Sequence, residues 1–255
     1  MKSFSYSLTL FTVILFYGCK PDVVPPAKTI FLLSKIYRMP YKPADTPYVW
    51  EEIQYNAFNK PWISVGFNSL HDTMSVSKYF YDNAHNLVEL HSWYGATNYN
   101  PSIARYDYDS LKRLSHIEEY RSVGRVLQTF TYRNDTVIHT HEFFRPGTKF
   151  NLYYKVDRRG NYLKVWGQPV DGDPYVYEYG GFDNAQNAYF IGIKTGMSKD
   201  AGIFSSKNNP SWMRWTDEGP VQNMQIINTY NSDNLVTRQQ KWNYTDSFQY
   251  IKVKK

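Results

Sequence analysis

A strand-and-turn unit built on Tyr-Asp recurs along this chain and limits what the chain can fold into. Residues 105–109 and 129–132 alternate aromatic and polar side chains, and residues 175–179 have a tyrosine at every second position. A period of two places the aromatic side chains on one face of a strand and the polar ones on the other. Aromatic residues, which favour strands, make up 18% of the chain. No convincing long helical pattern is present, so an all-β fold is expected.

Each aromatic run is followed by residues that favour a turn. An Asp or Asn after the tyrosine accepts hydrogen bonds from backbone amides two residues on, and a later Asn or Gly tolerates a positive φ. An apolar residue then starts the next strand. The clearest copies are 81–87 and 108–114, and the weaker ones are 55–60, 132–135, 156–163, 179–184 and 230–235.

Two strands per unit predict an antiparallel β-meander of about 12–16 strands. A sheet of that width is expected to curve, because strands twist and flat wide sheets are unusual. Hairpins joined in sequence build one continuous sheet. The expected architecture is therefore one large curved sheet, a partly closed barrel or spiral strip, rather than a two-sheet sandwich.

The motifs of these units resemble a known family. The stretch Tyr108-Asp109…Arg113-Leu114…Gly124-Arg125…Tyr132 resembles a YD repeat of the RHS type. Across about residues 29–252 the chain resembles the YD-repeat-like lipoproteins of Bacteroidota that carry a domain of unknown function. The resemblance implies repeated Tyr-Asp hairpins behind a lipoprotein leader. It implies no catalytic residues.

The start of the chain has the three parts of a secretory signal. Lys2 supplies the positive charge, residues 8–17 are mostly apolar, and Gly18 precedes Cys19, the only cysteine. An apolar run of about ten residues is too short to cross a bilayer as a helix, which needs roughly 20. Residues 16–19 resemble a bacterial lipobox, which implies cleavage after Gly18 and lipid attachment at Cys19. A buried cysteine in an ordinary strand would leave the apolar run unexplained.

These features divide the chain. Residues 1–18 are predicted to be a lipoprotein signal peptide, 19–28 an acylated cysteine with a Pro-rich tether, and 29–255 a YD-repeat-like β domain. The predicted location is the outer membrane, facing the periplasm or the cell surface. The formal net charge is +6 and is diffuse apart from the tail at 252–255, so nucleic acid is not an expected partner.

Candidate catalytic and metal-binding residues are sparse. His139 and His141 share one face of a strand, but a metal site needs more ligands, so no metal site or cofactor is predicted. Each of the adjacent pairs Glu51-Glu52 and Glu118-Glu119 points to opposite faces of a strand and cannot clamp one glycosidic bond. The sequence also has no Gly-x-Ser-x-Gly motif and no phosphate-binding loop. No catalytic residue is predicted.

Segment 196–220 interrupts the repeats and is predicted to be a functional loop. It holds Trp212, Arg214 and Trp215, the candidate ligand-binding residues among seven tryptophans that are otherwise expected to pack in the sheet. On a strand, two residues three apart face opposite ways. One indole is then expected to be exposed beside a groove while the other packs down.

Three short motifs resemble an O-glycosylation sequon of exported Bacteroidota proteins. They are Asp72-Thr73-Met74, Asp109-Ser110-Leu111 and Asp135-Thr136-Val137. The resemblance implies modification of Thr73, Ser110 and Thr136 where the hydroxyl is exposed at a turn. The alternative is coincidence among many turn residues.

Two functions follow from the sequence. The first is a membrane-anchored, non-enzymatic binding or scaffold module whose ligand is a glycan or a protein. The second is a hydrolase acting on surface glycans or peptides. Acids or histidines from different repeats that converge in one pocket would favour the hydrolase, and an aromatic surface without them would favour binding.

Overall fold

The structure is a computed structural model and describes residues 29–40, 46–95, 101–122, 124–143, 148–168, 173–189, 205–216, 219–241 and 244–254. The predicted all-β class is confirmed. Its 17 strands are β1 (Thr29–Pro40), β2 (Tyr48–Tyr55), β3 (Pro61–Phe67), β4 (Thr73–Tyr81), β5 (Leu87–Tyr94), β6 (Ser102–Tyr108), β7 (Leu114–Arg121), β8 (Gly124–Arg133), β9 (Thr136–Phe143), β10 (Lys149–Val156), β11 (Tyr162–Gly167), β12 (Tyr175–Gly180), β13 (Trp212–Thr216), β14 (Gln222–Gln225), β15 (Ile227–Tyr230), β16 (Val236–Gln240) and β17 (Tyr244–Lys254).

The strands form one nearly closed, barrel-shaped sheet. Consecutive strands pair antiparallel from β1 through β14 and from β15 through β17, and β17 returns to pair with β1. Within the described ranges no ladder joins β14 to β15, which Ile226 links along the chain. Residues 222–230 are one continuous stretch of chain. Its first half, β14, pairs with β13, and its second half, β15, pairs with β16, so the stretch counts as two strands. The total therefore exceeds the predicted range of about 12–16.

In this antiparallel meander, successive turns lie alternately at the two ends of the barrel. One end, called the Tyr-Asp end below, holds the turns after β2, β4, β6, β8, β10 and β15, together with the start of β1 and the end of β17, where Thr29 pairs with Lys254. The connection after β12 also lies at the Tyr-Asp end, because Gly180 pairs with Trp212. The other end, called the opposite end, holds the turns after β1, β3, β5, β7, β9, β11, β13 and β16. The position of every turn residue along the barrel axis follows from this alternation.

Six turns in the described part of the chain share one hydrogen-bond pattern. Their first residues are Asn56, Asn68, Asp82, Asp109, Asp157 and Asn231. In the turn between β6 and β7, Asp109 Oδ1 accepts hydrogen bonds from the backbone N–H groups of Leu111 and Arg113, each at 2.9 Å. The fourth residue of each turn has a positive φ: Asn59, His71, His85, Lys112, Gly160 and Asn234. It is the predicted Asn or Gly in three turns, and His or Lys in the other three. The turn at Asn68 was not predicted, because Phe67 rather than a tyrosine precedes it.

Five tyrosines tie neighbouring strands together, and three of them (Tyr55, Tyr81 and Tyr108) directly precede one of these turns. Each donates its hydroxyl to a backbone carbonyl on the preceding strand at 2.6–2.8 Å. The pairs are Tyr55 with Leu33, Tyr81 with Pro61, Tyr108 with Leu87, Tyr132 with Leu114, and Tyr250 with Val236. A buried phenol needs a hydrogen-bond partner, and the neighbouring strand supplies it.

The interior of the sheet is packed with aromatic side chains. The six residues predicted for the packed face all lie in the core or against it: Tyr106, Tyr108, Phe130, Tyr132, Tyr177 and Tyr179. The residues between them, Asp107, Thr131 and Glu178, point outward. The alternation of the sequence therefore maps directly onto an aromatic inner face and a polar outer face.

The chain leaves the sheet after β12 and contributes side chains to the interior. Ala188 and Tyr189 lie in the core, and the Tyr189 ring meets the Phe248 ring edge-on at 5.2 Å. Further along, the Asn208 N–H donates to Asn161 Oδ1 at 2.9 Å. The prediction of a Tyr-Asp hairpin at residues 179–184 was wrong, because Gly180 ends β12 and the following residues turn inward.

The predicted loop at 196–220 is only partly correct. Residues 196–204 lie outside the described residues, and 205–211 are irregular as expected. Trp212–Thr216, however, forms β13 and pairs with both β12 and β14. Glycine and proline flank this short strand, which hid it among turn residues. No helix in the described ranges is long and apolar enough to cross a membrane.

Candidate functional site

The outer surface of β11, β12 and β13 brings two indoles and three charges together. Sheet register places Lys164 opposite Glu178 and Glu178 opposite Arg214 in one row. Arg214 hydrogen-bonds to Glu178, and Lys164 Nζ lies 3.4 Å from the other carboxylate oxygen. Trp166 lies beyond one side of this row and Trp212 beyond the other. These five residues are called the outer patch.

The geometry of the outer patch suits an extended ligand. Two strands and four residues separate Trp166 from Trp212, which corresponds to roughly 16 Å along the sheet. The hydrogen bond from Arg214, helped by Lys164, holds the pKa of the Glu178 carboxyl below its usual range. The charged row therefore stays ionised at neutral pH and offers donors and acceptors between two aromatic faces.

The indole of Trp212 covers a glycine. Its indole covers Gly180 so closely that a Cβ added there would lie 2.2 Å from a ring carbon. The side chain remains 40% exposed. An indole supported on one face by backbone and open on the other is a platform on which a sugar ring or an aromatic side chain can stack.

Trp215 points the other way. It packs against the core, while Trp212 and Arg214 face outward, so the predicted division of the two tryptophans is confirmed. The groove expected beside Trp212 stays a prediction; the described residues paired with Trp212 are Gly180 on β12 and Gln225 on β14. Of the other tryptophans, Trp50 packs against the core, Trp166 stacks on Tyr153, and Trp242 lies outside the described residues.

The interior of the sheet holds a buried charged cluster of Arg38, Asp246, Lys241 and Tyr189. Arg38 donates to both oxygens of Asp246, at 2.9 and 3.2 Å. Lys241 Nζ lies 3.2 Å from Asp246 Oδ2 and donates to the Tyr189 hydroxyl at 2.8 Å, and that hydroxyl also contacts Asp246. The cluster fastens the inserted residues after β12 to β1 and to the turn before β17.

The protonation states in the cluster follow from its contacts. Burial opposes ionisation of Asp246, but Lys241 and Arg38 outweigh it and keep the pKa of this carboxyl below its usual range. Burial, reinforced by Asp246, raises the pKa of Tyr189 well above its ordinary value. The Arg38 guanidinium also lies over the Trp50 ring at 3.8 Å and the Tyr244 ring at 4.1 Å. Arg38 and Lys241 therefore share the Asp246 carboxylate, and aromatic rings lie next to the cluster.

Glu51 is the second interior carboxyl near Arg38. Burial raises the pKa of Glu51 to about 7, although Ser64 and Arg38 favour its charged form. Its side chain keeps some contact with solvent even though protein atoms surround it. Glu52 points outward and pairs with Lys35, so the predicted opposite orientation of the two glutamates is confirmed.

Sequence reasoning missed the charged cluster. Arg38 and Asp246 are 208 positions apart, and Lys241 and Tyr189 belong to irregular stretches. No local motif links these four residues. The only signal was a charged residue at an inward position of an alternating strand, as Asp246 is on β17, which is unusual because such a charge needs a buried partner.

His139 and His141 share the inner face of β9, as predicted. His139 is fully buried between Gln128 and Tyr154, to which its ring nitrogens hydrogen-bond at 2.9 and 3.2 Å. Burial, with His141 nearby, lowers the pKa of His139 to about 2, and burial lowers that of His141 to about 4. His141 stacks on Phe150 at 4.6 Å. Among the described residues no group of three or more His, Cys, Asp or Glu is placed to hold a metal ion.

The candidate modification sites differ in exposure. Ser110 is exposed at the second position of the Asp109 turn, and Thr73 is exposed at the start of β4. Thr136 is half-buried and donates its hydroxyl to Asp135 at 3.1 Å. Only Ser110 and Thr73 therefore meet the condition of an exposed hydroxyl at a turn. Cys19, the predicted lipid attachment site, lies outside the described residues.

Comparisons with known proteins identify the fold. No family model matches the chain, and no curated protein matches it in sequence. A solved porin-like protein from Bacteroides vulgatus has a TM-score of 0.54 and 10% identity, over 86% of this chain and 98% of that one. A second porin-like protein, from Bacteroides uniformis, gives 0.41 and 12% identity over the same shares. The likeness to the first shows a common fold, a large antiparallel barrel-shaped sheet.

Proposed function

We propose that this protein is an extracytoplasmic lipoprotein, anchored through acylated Cys19, that works as a non-enzymatic binding or scaffold module. The observation that carries the proposal is the assignment of the two faces of the sheet. The inner face is filled with packed aromatic side chains and the outer face carries paired charges. The packed aromatic inner face favours a rigid scaffold. The charged outer face favours recognition of a ligand at a surface in contact with water.

The charges of the outer face favour attachment through the acyl chains rather than through the strands. Cross-strand ion pairs occupy mid-strand positions, among them Glu89 with Arg105 and Glu178 with Arg214. A lysine or arginine on the lipid-facing side of a membrane barrel costs about 2–4 kcal/mol at the bilayer midplane. The likeness in fold to a porin-like protein supports an outer-membrane location. The aromatic interior and charged exterior argue against a channel.

The outer patch is the proposed ligand site. Trp212 provides an exposed aromatic platform, and Arg214, Glu178 and Lys164 provide a fixed row of hydrogen-bonding groups next to it. Stacking on an indole with nearby polar groups is suited to a glycan, and an aromatic–arginine pair is equally suited to a protein partner. A glycan and a protein are therefore the two candidate ligand classes.

Acylation is tested by labelling and by mutation. The native protein should take up labelled palmitate, and Cys19→Ala should release it from the membrane fraction. A Cys19→Ala variant that stays in the membrane fraction, combined with no palmitate uptake by the native protein, would overturn the anchor.

Ligand binding is tested on glycan and protein arrays with two matched variants. Trp212→Ala should abolish binding to the ligand that the native protein selects. Trp62→Ala is the control, because Trp62 is 45% exposed but lies on β3, away from the outer patch. Equal binding by the two variants would show that the outer patch is not the site.

The alternative function is a hydrolase of surface glycans or peptides, and Glu51 is the observation that favours it. Its pKa of about 7 suits a general acid, while Asp246 stays ionised, and carboxyls pushed apart in pKa are typical of acid–base pairs. Against it, each oxygen of Asp246 already accepts hydrogen bonds within the charged cluster. Any hydrolysis detected should vanish in Glu51→Gln and persist in Glu52→Gln if this alternative holds.

A further inference from the structure

Toward the opposite end of the barrel, the inner face of β3–β6 carries serines where aromatic residues stand elsewhere. Ser64 pairs with Ser77, Ser77 with Ser92, and Ser92 with Ser102. This row crosses four neighbouring strands, or roughly 14 Å of the wall. A serine side chain reaches less far into the barrel than a tyrosine, so the wall recedes along the row.

Buried tyrosines form a floor beneath the serine row. Tyr79 and Tyr106 lie on the same inner face, two and four residues further toward the Tyr-Asp end than Ser77 and Ser102 on β4 and β6. The Tyr79 hydroxyl lies 3.1 Å from Ser64 Oγ. The recess is therefore bounded by the packed aromatic interior on its Tyr-Asp side.

Solvent reaches this recess. Glu119 on β7 pairs with the buried Ala104, so Glu119 and Arg121, two residues later, point to the inner face. Their side chains nevertheless keep 16% and 46% of their exposure. Ser77 and Ser102 are also only half-buried. Inward side chains that contact solvent show that the barrel is open at this end.

Glu119 and Arg121 form a fixed donor and acceptor pair in the opening. Arg121 Nε donates to Glu119 Oε1 at 2.8 Å, and Arg121 Nη2 donates to Oε2 at 2.7 Å. A guanidinium has five N–H groups and a carboxylate has about four acceptor positions, so this bridge uses only part of their capacity. Two neighbouring hydroxyls of a sugar can accept from the guanidinium and donate to the carboxylate at the same time.

Tyr94 supplies an aromatic ring at the rim of the same opening. It lies two residues after Ser92 on β5 and shares its inner face, yet it is 70% exposed. Burial raises the pKa of Tyr106, and Glu119 and Tyr94 are among the neighbouring groups that add to this rise. Tyr94 and Glu119 therefore lie close to one interior tyrosine, and the open Tyr94 ring can stack on the face of a sugar ring.

The charges at this opening are balanced. Arg121 is the one lysine or arginine on the described inner face of β2–β10, and Glu119 pairs with it. Burial, helped by Arg121, lowers the pKa of the nearby His141 to about 4, so this histidine is neutral at pH 7. No surplus positive charge attracts an anion, and the polar lining suits an uncharged, hydroxyl-rich molecule.

We propose that this opening is a second binding site and that it takes a small uncharged sugar of one or two rings. Its residues, called the mouth site, are Ser77, Ser92, Tyr94, Ser102, Glu119 and Arg121. Tyr94 stacks on the sugar, Glu119 and Arg121 hold two neighbouring hydroxyls, and the serines leave room for the ring. The mouths of β-barrels are frequent positions of small-molecule sites. The mouth site depends neither on acylation of Cys19 nor on the outer patch.

Binding is tested by saturation-transfer difference NMR on the native protein in a phosphocholine detergent, which has no sugar headgroup. The probes are glucose, galactose, mannose, N-acetylglucosamine, lactose and cellobiose. Magnetisation should pass from the protein to at least one of these sugars. The absence of transfer to all six would overturn the proposal.

The requirement for an uncharged ligand is tested with matched acids. Glucuronate and galacturonate differ from glucose and galactose by one carboxylate, and each should bind several-fold more weakly than its neutral counterpart. Stronger binding of the two acids than of any neutral sugar would show that the mouth site selects anions and would overturn the assigned class.

The position of the sugar is tested with Tyr94→Ala, Glu119→Gln and a control, Tyr120→Ala. Tyr120 lies between Glu119 and Arg121 in the chain but faces outward, and it is 41% exposed. Glu119→Gln replaces a charged hydrogen bond with a neutral one and should weaken binding about tenfold. Tyr94→Ala should weaken it several-fold, and Tyr120→Ala should leave it unchanged.

Tyr94→Ala is the decisive variant, because Tyr94 is exposed and its truncation leaves the core intact. Its result stands even where Glu119→Gln disturbs the bridge to Arg121. Equal affinity of Tyr94→Ala and Tyr120→Ala for the bound sugar would overturn the mouth site.

Trp212→Ala separates the mouth site from the outer patch. Sugar binding that persists in Trp212→Ala and falls in Tyr94→Ala would support the mouth site, whatever ligand the outer patch takes. Binding that is lost in Trp212→Ala and kept in Tyr94→Ala would place the sugar on the outer patch and overturn this proposal.

Discussion

The hydroxyl of Tyr108 donates a 2.8 Å hydrogen bond to the backbone carbonyl of Leu87. Leu87 begins the strand that follows the preceding Tyr-Asp turn, so the bond ties one hairpin to the next. Tyr81, Tyr132 and Tyr250 make the equivalent bond to Pro61, Leu114 and Val236. The tyrosine of the repeat therefore has two tasks: its ring fills the interior and its hydroxyl satisfies a carbonyl at the edge of the neighbouring turn.

Removing that hydroxyl should weaken the sheet by the value of one hydrogen bond. Tyr108→Phe keeps the ring and leaves the Leu87 carbonyl without this donor, so the free energy of unfolding should fall by about 0.5–1.5 kcal/mol. Urea denaturation measures the change. Tyr153→Phe on the outer face is the control and should change stability by less than about 0.5 kcal/mol. Equal losses would show that the tie contributes nothing.

The two faces of the sheet should differ in tolerance to truncation. Tyr177→Ala empties a buried position of the core and should cost about 3–5 kcal/mol. Thr131→Ala alters the exposed face of β8 and should cost less than about 0.5 kcal/mol. Thermal and urea unfolding of both variants check this. Small, equal losses at the two positions would mean that the interior is loosely packed.

Breaking the buried charged cluster should be more damaging than breaking an exposed ion pair. Asp246→Ala leaves Arg38 and Lys241 without their shared carboxylate, and loss of one partner of a buried pair costs about 3–5 kcal/mol. Glu142→Ala removes the partner of Lys149, and such exposed pairs contribute at most about 1 kcal/mol. Chemical denaturation of the two variants gives the comparison. Similar losses would contradict the role assigned to the cluster.

Glu51 should make stability depend on pH near neutrality. Burial raises its pKa in the folded state to about 7, above the unfolded value of 4.5, so the folded state prefers the protonated acid. Stability from this group is fully present below about pH 4.5 and is lost as pH rises through about 7. Glu51→Gln should remove this loss, and at pH 8 it should be more stable than the native protein by about 1–3 kcal/mol.

The pH series needs one control. Glu52→Gln alters the outward neighbour, which pairs with Lys35 at the surface. It should keep the pH dependence of the native protein between pH about 4 and 8, because the interior carboxyl is untouched. If Glu51→Gln shows the same pH dependence as the native protein, Glu51 ionises normally in the folded state.

Local order in the sequence determined the repeating parts of this protein. Alternation of aromatic and polar residues set the faces of β6, β8 and β12, because neighbouring side chains on a strand must point to opposite sides. The Asp or Asn after the tyrosine set the turns, because its side chain bonds to amides only two and four residues away. For the same reason Trp212 and Trp215 were correctly assigned to opposite faces. All of these relations are confined to a few neighbouring residues.

Only the tertiary structure decided how the sheet closes and what its interior holds. Pairing of β17 with β1 joins the two ends of the domain, and it places Asp246 beside Arg38, 208 positions away. The inward path of the chain after β12 brings Tyr189 to the same carboxylate. No local pattern encodes such contacts, because their energy exists only after the strands have come together and excluded water from the charges between them.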